Sequence, residues 1–455
     1  MDKILELIFE SLKLLFDREV TDIQKEIELR RYSLNIIKES IYFCMHIVII
    51  FCALLVAPVL LSFSGIWILE EAFSYMISIE FLAVTFIAML VIFRLTFPDG
   101  TQASKIGQYS PSYKIFHRLA FTRTFLRLTA VVDDILCPPR YKNTAKPVFI
   151  TGIARSGSTA LLNALHSLPN FGTFKYRDMP LLNLIYMRSL LSFLAPRKND
   201  FVDRAHADGH KIGLDTPEAF EEVFWLLHFP SSYQGSVGQI SEDDMSIKNR
   251  KRFQNFIAKI ANVDCRRSGV DNKDLCRYVS KNNANLSRHH AIKAIFPDAS
   301  FVVPLRDPLE HSLSLYRQNV RFNEIQSQDT FIKEYMDDIG HYEFGKSTKP
   351  LSLVSEFKSK FEMENPNYWL EYWIYCHDYI LRNFADFIIV ALEKLIIEEK
   401  ETMSNLLSSI NYDGNWNTEE RFFTHSQSVS IEFCFDEKLF ERSKEIYTQL
   451  YQNCI

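Results

Sequence analysis

The stretch 147–162, PVFITGIARSGSTALL, constrains the fold more than any other part of the chain. Residues 147–151 form a short apolar, β-branched run, which is typical of a buried parallel strand. Gly152 and Gly157 then interrupt the run, and apolar residues resume at helical spacing from Ala160. A strand, a tight Gly/Ser loop and a helix in this order direct backbone N–H groups and a helix N-terminus at an anion. The stretch therefore predicts an anion-binding loop.

The loop differs from a nucleoside-triphosphate P-loop, G-x-x-x-x-G-K-[ST], at the position that binds phosphate most directly. Gly152 and Gly157 have the P-loop spacing. Thr159 is also in place, but Ser158 stands where the P-loop has its lysine. The cation of this loop is Arg155, which precedes the second glycine. The loop is thus suited to an anionic group without the usual ATP chemistry, and an αβ turn with glycines kept for packing is the alternative.

Composition limits the classes of function. The chain has 455 residues and a formal net charge of −5, so it lacks the overall basic character of a nucleic-acid-binding protein. An anionic ligand must then be held by a local cluster of cations. The eight cysteines are scattered without a C-x-x-C pair, which indicates free thiols of a reducing compartment rather than a disulfide framework.

Two long apolar runs near the N-terminus predict a transmembrane hairpin. Residues 41–63 contain no charged residue, and residues 72–93 contain only Glu80. Each run is long enough to span a bilayer. Lys and Arg are absent from 39–93 and return on both flanks, which by the positive-inside rule places the C-terminal part of the chain in the cytosol. Two buried core helices are the alternative.

These features divide the chain into four parts. They are an amphipathic N-terminal helical segment at 1–40, the hairpin at 41–93, a juxtamembrane linker at 94–146 and an α/β domain at 147–455. The candidate strands of the last part are 147–151, 278–280, 301–305 and 387–392. Because helical stretches lie between these strands, we expect a P-loop-like, three-layer α/β domain with a central parallel sheet.

A second anion site is predicted at 301–318, FVVPLRDPLEHSLSLYRQ. The segment begins as a buried strand, after which Asp307 is a good N-cap and Pro308 a good first helical residue. Arg306 then stands at the carboxyl end of the strand, and Ser314 lies about two turns into the helix. Because ligands of open α/β sheets bind outside the carboxyl ends of the strands, Arg306 and Ser314 are expected to converge on one anion near the first loop.

Three stretches in this order resemble sulfotransferases that use 3′-phosphoadenosine 5′-phosphosulfate (PAPS). Residues 155–159, RSGST, resemble the 5′-phosphosulfate loop of that family, as the arginine-bearing loop of tyrosylprotein sulfotransferases does. Arg306 and Ser314 resemble its 3′-phosphate site. Residues 278–283, YVSKNN, resemble the strand that delivers its catalytic lysine, which is Lys281 here. The resemblance covers about residues 146 to 411, and within the family this sequence is most similar to the bacterial members.

The resemblance implies an enzyme that transfers a sulfuryl group from PAPS to a hydroxyl or amine. Arg306 and Ser314 would hold the 3′-phosphate, and Lys281 would stabilise the bridging oxygen as charge builds there. The implied ligands of the 5′-phosphosulfate are Arg155, Ser156, Gly157, Ser158 and Thr159. No metal is implied, because the sulfuryl group carries less charge than a phosphoryl group. The predicted hairpin adds the expectation of a membrane-associated glycan, glycolipid or lipid acceptor.

The general base is the point at which the sequence departs from the family. Cytosolic sulfotransferases have a histidine two residues after the lysine, where this chain has Asn283. Tyrosylprotein sulfotransferases instead use a glutamate after the first helix, and Asp178 is the nearest carboxylate here, unless it forms a local salt bridge with Arg177. Glu222 and His206 are further candidates, for the base or for binding the acceptor, although helix capping also explains such carboxylates.

Two other functions remain open from the sequence alone. A P-loop nucleotide kinase or NTPase would bind ATP with Mg²⁺, but Ser158 in place of the lysine and the pair of Arg306 and Ser314 argue against it. A non-catalytic membrane scaffold would keep the fold without the chemistry, which Asn283 allows. The expected location is the bacterial inner membrane with the catalytic domain in the cytosol, where PAPS is made, and a Golgi membrane is the alternative.

Overall fold

The computed structural model describes most of the chain beyond residue 110. The described ranges are 111–136, 146–185, 211–267, 276–424 and 433–455, with a few isolated positions elsewhere. The predicted hairpin at 41–93 lies outside the described residues. Among the helices that are described, none combines the length and the apolar character needed to cross a membrane.

The chain forms two compact units. The first comprises 1–104, 108–122 and 191–197, and the second comprises 105–107, 123–190 and 198–455. In the first unit, helix α1, Pro111–Ala120, is described. All the residues discussed below belong to the second unit.

A parallel sheet is the centre of the second unit. Its strands are β1 Val148–Ile150, β2 Phe171–Gly172, β5 Arg277–Lys281, β6 Ser300–Leu305 and β7 Ile388–Ala391, and a separate antiparallel pair consists of β3 Val202–Asp203 and β4 Lys211–Ile212. The sheet has the order β2-β5-β1-β6-β7, with every neighbouring pair parallel. The four predicted strands and the parallel sheet are confirmed. Strand β2 was not predicted, because two residues are too few to show a period.

Helices connect the strands and cover the sheet. In the second unit they are α2 Arg123–Leu136, α3 Ser158–His166, α4 Glu222–His228, α5 Ile247–Arg267, α6 His289–Ile295, α7 Pro308–Gln328, α8 Thr330–Ile339, α9 Pro366–Arg382, α10 Leu392–Ile397, α11 Glu399–Ser409 and α12 Glu437–Gln452. Helix α7 begins as the sequence predicts, because the Asp307 side chain accepts hydrogen bonds from the amides of Leu309 and Glu310, and Pro308 is the first helical residue.

Strand β1 is buried on both faces, which explains its continuous apolar run. Alternate residues of a strand point to opposite faces, so Ile150 packs with Leu161 of α3 and Met403 of α11. Phe149 points the other way, with its ring centroid 6.5 Å from that of Phe253 in α5. Full burial of a side chain of this size contributes about 2 kcal/mol. The helices on the two faces therefore hold β1 as a rigid base for the loop that follows it.

The register of β1 with its two neighbours brings the three predicted stretches to one edge of the sheet. Ile150 lies opposite Lys281 of β5 and Val302 of β6. The ladder continues one step further, since the amide of Asn282 donates to the carbonyl of Ile150 and the amide of Thr151 donates to the carbonyl of Val302, both at 2.9 Å. From β1 the chain continues to β2 and β5 on one side and then crosses to β6 and β7 on the other. This edge is therefore a topological switch point, where open α/β sheets bind ligands.

Candidate functional site

The loop after β1 has an unusual backbone. Gly152, Arg155 and Gly157 have φ values of 116°, 70° and 89°, all in the left-handed region. For a non-glycine residue such as Arg155 this conformation costs about 1–3 kcal/mol, a strain that concentrates at ligand-binding sites. Gly157 is the N-cap of α3, and no side chain caps this end of the helix. The N–H groups of the first turn are therefore directed at an external partner, which favours an anion.

The hydroxyl residues of the loop differ in their surroundings. The Ser156 hydroxyl donates to the carbonyl of Ile153 at 3.0 Å and is buried, so it shapes the loop from inside. Ser158 and Thr159 are the first two residues of α3, and Thr159 is half-buried. The hydroxyl of Thr151 contacts the carbonyl of Asn283 at 3.3 Å, which ties the start of the loop to the end of β5.

Three arginines lie close together near the beginning of α7, and we call Arg155, Arg306 and Arg317 the arginine cluster. Arg155 Nε donates to the Ser314 hydroxyl at 3.3 Å, and the Arg306 guanidinium donates to the carbonyl oxygen of Arg155 at 3.2 Å. Burial and then the positive charge of Arg306 lower the pKa of Arg317. Glu310 pairs with Arg306 at the exposed rim, at 3.3 Å. Three neighbouring guanidinium groups, one of them bonded to the Ser314 hydroxyl, favour a multiply charged anion.

A buried histidine supports the loop beside this cluster. His311 Nε2 lies 2.7 Å from the carbonyl oxygen of Ala154, and this oxygen can only accept, so Nε2 carries the proton. Burial, followed by the positive charge of Arg306, lowers the pKa of His311 well below its usual value. The imidazole is therefore neutral and acts as a fixed hydrogen-bond donor. The structure thus brings together Arg155, Arg306 and Ser314, which lie on three separate elements.

Lys281 and Asn283 at the end of β5 face a carboxylate that the sequence analysis missed. Asn283 Nδ2 donates to Glu343 Oε1 at 2.6 Å. Burial alone would raise the pKa of Glu343, but the positive charges of His341 and Lys281, together with hydrogen bonds that include the one from Asn283, hold this pKa below its usual value. Glu343 follows Asn283 by sixty residues in a loop without a motif. The sequence held only an indirect signal for Glu343. Asn283 stands in the family's histidine position, and its side-chain amide needs a hydrogen-bond acceptor.

A cleft opens beside Glu343, with about 670 Å³ of space that includes open solvent. Its inner end is lined by Gly152, Ile153, Ala154, Asn282, Asn283 and Glu343. Its wall is lined by Leu315, Tyr342, Leu351, Tyr368, Trp369 and Tyr372. The cleft therefore joins the anion-binding loop to an aromatic and apolar surface.

Helix α7 holds the loop that carries Glu343. The amide of Gly345 donates to Asn319 Oδ1 at 3.0 Å, and the amide of Lys346 donates to Gln326 Oε1 at 2.7 Å. Both acceptors are buried side chains of α7. Gly345 has a φ of 89°, and a Cβ there would lie 2.4 Å from Gln326 Oε1. One helix thus supports Ser314 near its beginning and the Glu343 loop near its end.

Glu222 lines the cleft but is held in a buried ion pair. Arg288 Nη2 donates to its two oxygens at 2.7 and 3.0 Å, and Asn282 Nδ2 donates to Oε2 at 2.7 Å. The Tyr233 hydroxyl also donates to Oε1. These donors occupy both oxygens with fixed partners, which favours a structural role. The prediction of Glu222 as the base stays untested by any of these contacts.

The other two predicted bases lie elsewhere. Asp178 is buried in a 3₁₀ turn, where its Oδ2 accepts from the amide of Lys175 at 2.8 Å, and it does not line the cleft. Arg177, the partner considered for Asp178 in the alternative role, pairs with Asp215, and the salt bridge between Arg177 and Asp178 stays a prediction. His206 lies outside the described residues. The geometry therefore does not bring Asp178 to the cleft and says nothing of His206.

Among the described residues, one group of side chains is able to hold a metal ion. His289, His290 and Asp386 place their ligand atoms within 4.8 Å of one another. His289 packs against Phe387, just before β7 begins, so this group lies at the amino edge of the sheet, away from the cleft. Asp386 already pairs with Lys293.

Residues 147–347 match the model of a family described as the sulfotransferase family. No curated protein matches the chain. Among solved structures, a sulfotransferase of Mycobacterium tuberculosis H37Rv is similar at 14% identity over 79% of this chain and 86% of that chain, with a TM-score of 0.38. A sulfotransferase of Mycobacterium avium is similar at 12% identity over 79% and 86%, with a TM-score of 0.40. One of Alicyclobacillus acidocaldarius is similar at 13% identity over 68% and 98%, with a TM-score of 0.32.

Proposed function

We propose that this chain transfers a sulfuryl group from PAPS to a hydroxyl or amine of an acceptor in the cleft. The proposal proceeds from the sulfotransferase family, to which the chain belongs through residues 147–347. One observation carries the choice of donor. The arginine cluster gathers guanidinium groups from the loop and from the end of β6 around Ser314, next to an uncapped helix N-terminus. An adenosine phosphorylated at both its 3′ and 5′ positions has two anionic groups, one for the arginine cluster and one for the helix N-terminus.

The residues present fit such a donor. The amides of the first turn of α3, with Ser158 and Thr159, would hold the 5′-phosphosulfate. Arg306 and Ser314 would hold the 3′-phosphate, the group that distinguishes PAPS from ATP. Arg155 belongs to the loop by its backbone and reaches Ser314 by its side chain, so it would connect the two ends. The strained conformation of Arg155 is consistent with this double role.

Lys281 would supply the charge stabilisation in this scheme. PAPS, when bound, provides an activated sulfate group whose bridging oxygen gains negative charge as the bond to sulfur breaks. Lys281 is 8% exposed and stands at the carboxyl end of β5, opposite Ile150 at the base of the loop. A positive charge fixed in a partly dehydrated place favours the transition state because it needs no reorganisation there.

The acceptor would bind against the wall of the cleft. Tyr342, Tyr368, Trp369 and Tyr372 offer aromatic faces, which suit a ring or an apolar body that carries the reacting group. The apolar runs at 41–63 and 72–93 support an acceptor presented at a membrane, such as a lipid-linked glycan, a glycolipid or a lipid. In this proposal a bacterial inner membrane anchors the chain, and the catalytic domain faces the cytosol.

Two measurements test this function. Calorimetry should detect binding of 3′-phosphoadenosine 5′-phosphate (PAP), the donor without its sulfuryl group, and much weaker binding of AMP, which lacks the 3′-phosphate. Incubation of the protein with radiolabelled PAPS and a membrane extract should transfer the label to an extractable acceptor. Equal affinity for PAP and AMP, or tight binding of ATP only with Mg²⁺, would instead support a nucleotide kinase.

A further inference from the structure

We propose that Glu343 is the general base of this enzyme and that Asn283 is a positioning residue that holds it. This inference rests on the proposed function and assigns the role that a histidine fills in cytosolic sulfotransferases. In this chain that position is Asn283, whose amide donates to Glu343 Oε1 at 2.6 Å. The carboxylate is thus delivered to the end of β5 from a distant loop.

The placement of Glu343 fits the needs of proton transfer. A general base must lie within hydrogen-bonding reach of the proton that it takes from the acceptor. Glu343 lines the inner end of the cleft, and the positive charge of Lys281 acts on its carboxyl group. Asn283 bonds to Oε1, and in this proposal Oε2 is the oxygen that takes the proton from a group in the cleft. The loop is fixed by two buried amides of α7, Asn319 and Gln326, which limits the movement of this carboxylate.

The other charged groups around the cleft leave Glu343 as the carboxylate in position. Glu222 is paired with the buried Arg288. His341 directs Nε2 at the carbonyl oxygen of Ala219, 3.1 Å away, so this nitrogen serves as a donor. Lys349, on the same loop, donates to the carbonyl of Tyr233 at 2.8 Å. Electrostatic interactions with His341 and Lys281, which act against the effect of burial, lower the pKa of Glu343 and favour its ionised form.

The step balances with these residues. The acceptor hydroxyl gives its proton to Glu343, which becomes a carboxylic acid, while the acceptor oxygen forms a bond to sulfur. The bond between sulfur and the bridging oxygen breaks, and its electron pair leaves on that oxygen, so that PAP is released. Lys281 stabilises the charge on the leaving oxygen, and Glu343 returns its proton to solvent.

The test compares Glu343→Gln with the wild type in the full chain. Phenol and 4-nitrophenol serve as probe acceptors. If neither is sulfated, the assay follows the hydrolysis of PAPS to PAP and sulfate, in which water is the acceptor that gives up the proton. We expect the variant to lose 10²- to 10⁴-fold in kcat with phenol or water. We expect a much smaller loss with 4-nitrophenol, which needs little help to ionise. The calorimetric Kd of PAP should stay unchanged.

The pH profile provides a second readout. The wild-type kcat should fall only below pH about 4.3, the ordinary pKa of a glutamate, because the neighbouring cations lower the pKa of Glu343 and the reaction needs its ionised form. A histidine base would place this fall near pH 6.5. The matched control is Glu364→Gln, which changes an exposed glutamate and should alter neither rate nor profile.

Several outcomes would overturn the assignment. They are full activity of Glu343→Gln, an equal loss with both phenols together with weaker PAP binding, and an acid limb near pH 6.5. A large loss in Asp178→Asn with none in Glu343→Gln would transfer the role to Asp178. Failure of the wild type to bind PAP, or binding without any turnover, would instead remove the proposed function and this inference with it.

Discussion

Replacing Arg306 by alanine is expected to weaken the binding of PAP about a hundredfold and the binding of AMP only about fivefold. Arg306 is 8% exposed at the carboxyl end of β6, and its guanidinium donates to the carbonyl of Arg155 at 3.2 Å. Alanine removes both the contact to a 3′-phosphate and one tether of the anion-binding loop. AMP lacks the 3′-phosphate and is sensitive only to the second of these changes.

The magnitude follows from these two contacts. The hydrogen bond between Arg306 and the charged 3′-phosphate contributes about 1.5–3 kcal/mol. The bond between Arg306 and the neutral carbonyl of Arg155 contributes about 1 kcal/mol more. The sum is about 3 kcal/mol for PAP and about 1 kcal/mol for AMP. Since about 1.4 kcal/mol corresponds to a tenfold change, the Kd should rise about a hundredfold for PAP and about fivefold for AMP.

Titration calorimetry with PAP and AMP, at one fixed salt concentration, measures both changes. The matched control is Arg382→Ala, which removes an exposed arginine of α9 that pairs with Asp378 and should change neither affinity. Thermal unfolding of both variants checks that the fold is kept. An unchanged PAP affinity, or the same loss for PAP and AMP, would refute the assignment of Arg306 to the 3′-phosphate.

Three further predictions concern other parts of the domain. Lys281→Ala should lower kcat by about 10²- to 10³-fold with little change in PAP affinity, measured by steady-state kinetics and calorimetry, and a fully active variant would exclude its role. Gly157→Ala should destabilise the protein and weaken PAP binding. Gly157 has a φ of 89°, and a Cβ at this position would lie 2.7 Å from a leucine side chain of α10. Unfolding and binding curves like those of the wild type would contradict this prediction. The free energy of unfolding should fall by about 2 kcal/mol as the pH drops from about 4 to 2. Burial alone would raise the pKa of Asp264, but its hydrogen bond with His166 and the charge of Lys175 lower this pKa to about 2. The stabilisation from Asp264 is therefore complete above the pKa of the unfolded state and is lost as the pH falls through the pKa of the folded state. Asp264→Asn should remove this acid-dependent part in denaturant titrations, and an unaltered pH dependence would show that other groups cause it.

Much of the proposed donor site was predictable because its signals are local. The strand, the Gly/Ser loop and the helix of 147–162 lie within sixteen consecutive residues, and Arg306 and Ser314 lie eight residues apart on a strand end and the following helix. Short-range patterns of this kind follow from backbone conformation and helix capping. The rule that ligands bind at the carboxyl ends of parallel strands then placed both stretches at one edge.

The acceptor side was not predictable in the same way. Glu343 stands in an irregular loop, and nothing around it in the sequence marks it as different from other glutamates. Asp178, by contrast, was predicted as the carboxylate nearest to the position at which the resemblance implies a base, yet its Oδ2 accepts from the amide of Lys175. Glu222 is drawn into a pair with Arg288, sixty-six residues away. Each outcome depends on partners that are distant along the chain.

The amino-acid order alone specified the parallel α/β architecture, the Gly/Ser loop after β1 and the second basic position, because strand and helix periods, turns and caps act over a few residues. Tertiary structure alone decided which carboxylate faces Lys281 and what lines the cleft. The reason is that the fate of a carboxylate depends on the charges and donors packed around it. These come from β5, α7 and the loop after α8, which only the folded sheet and its helices bring within hydrogen-bonding distance.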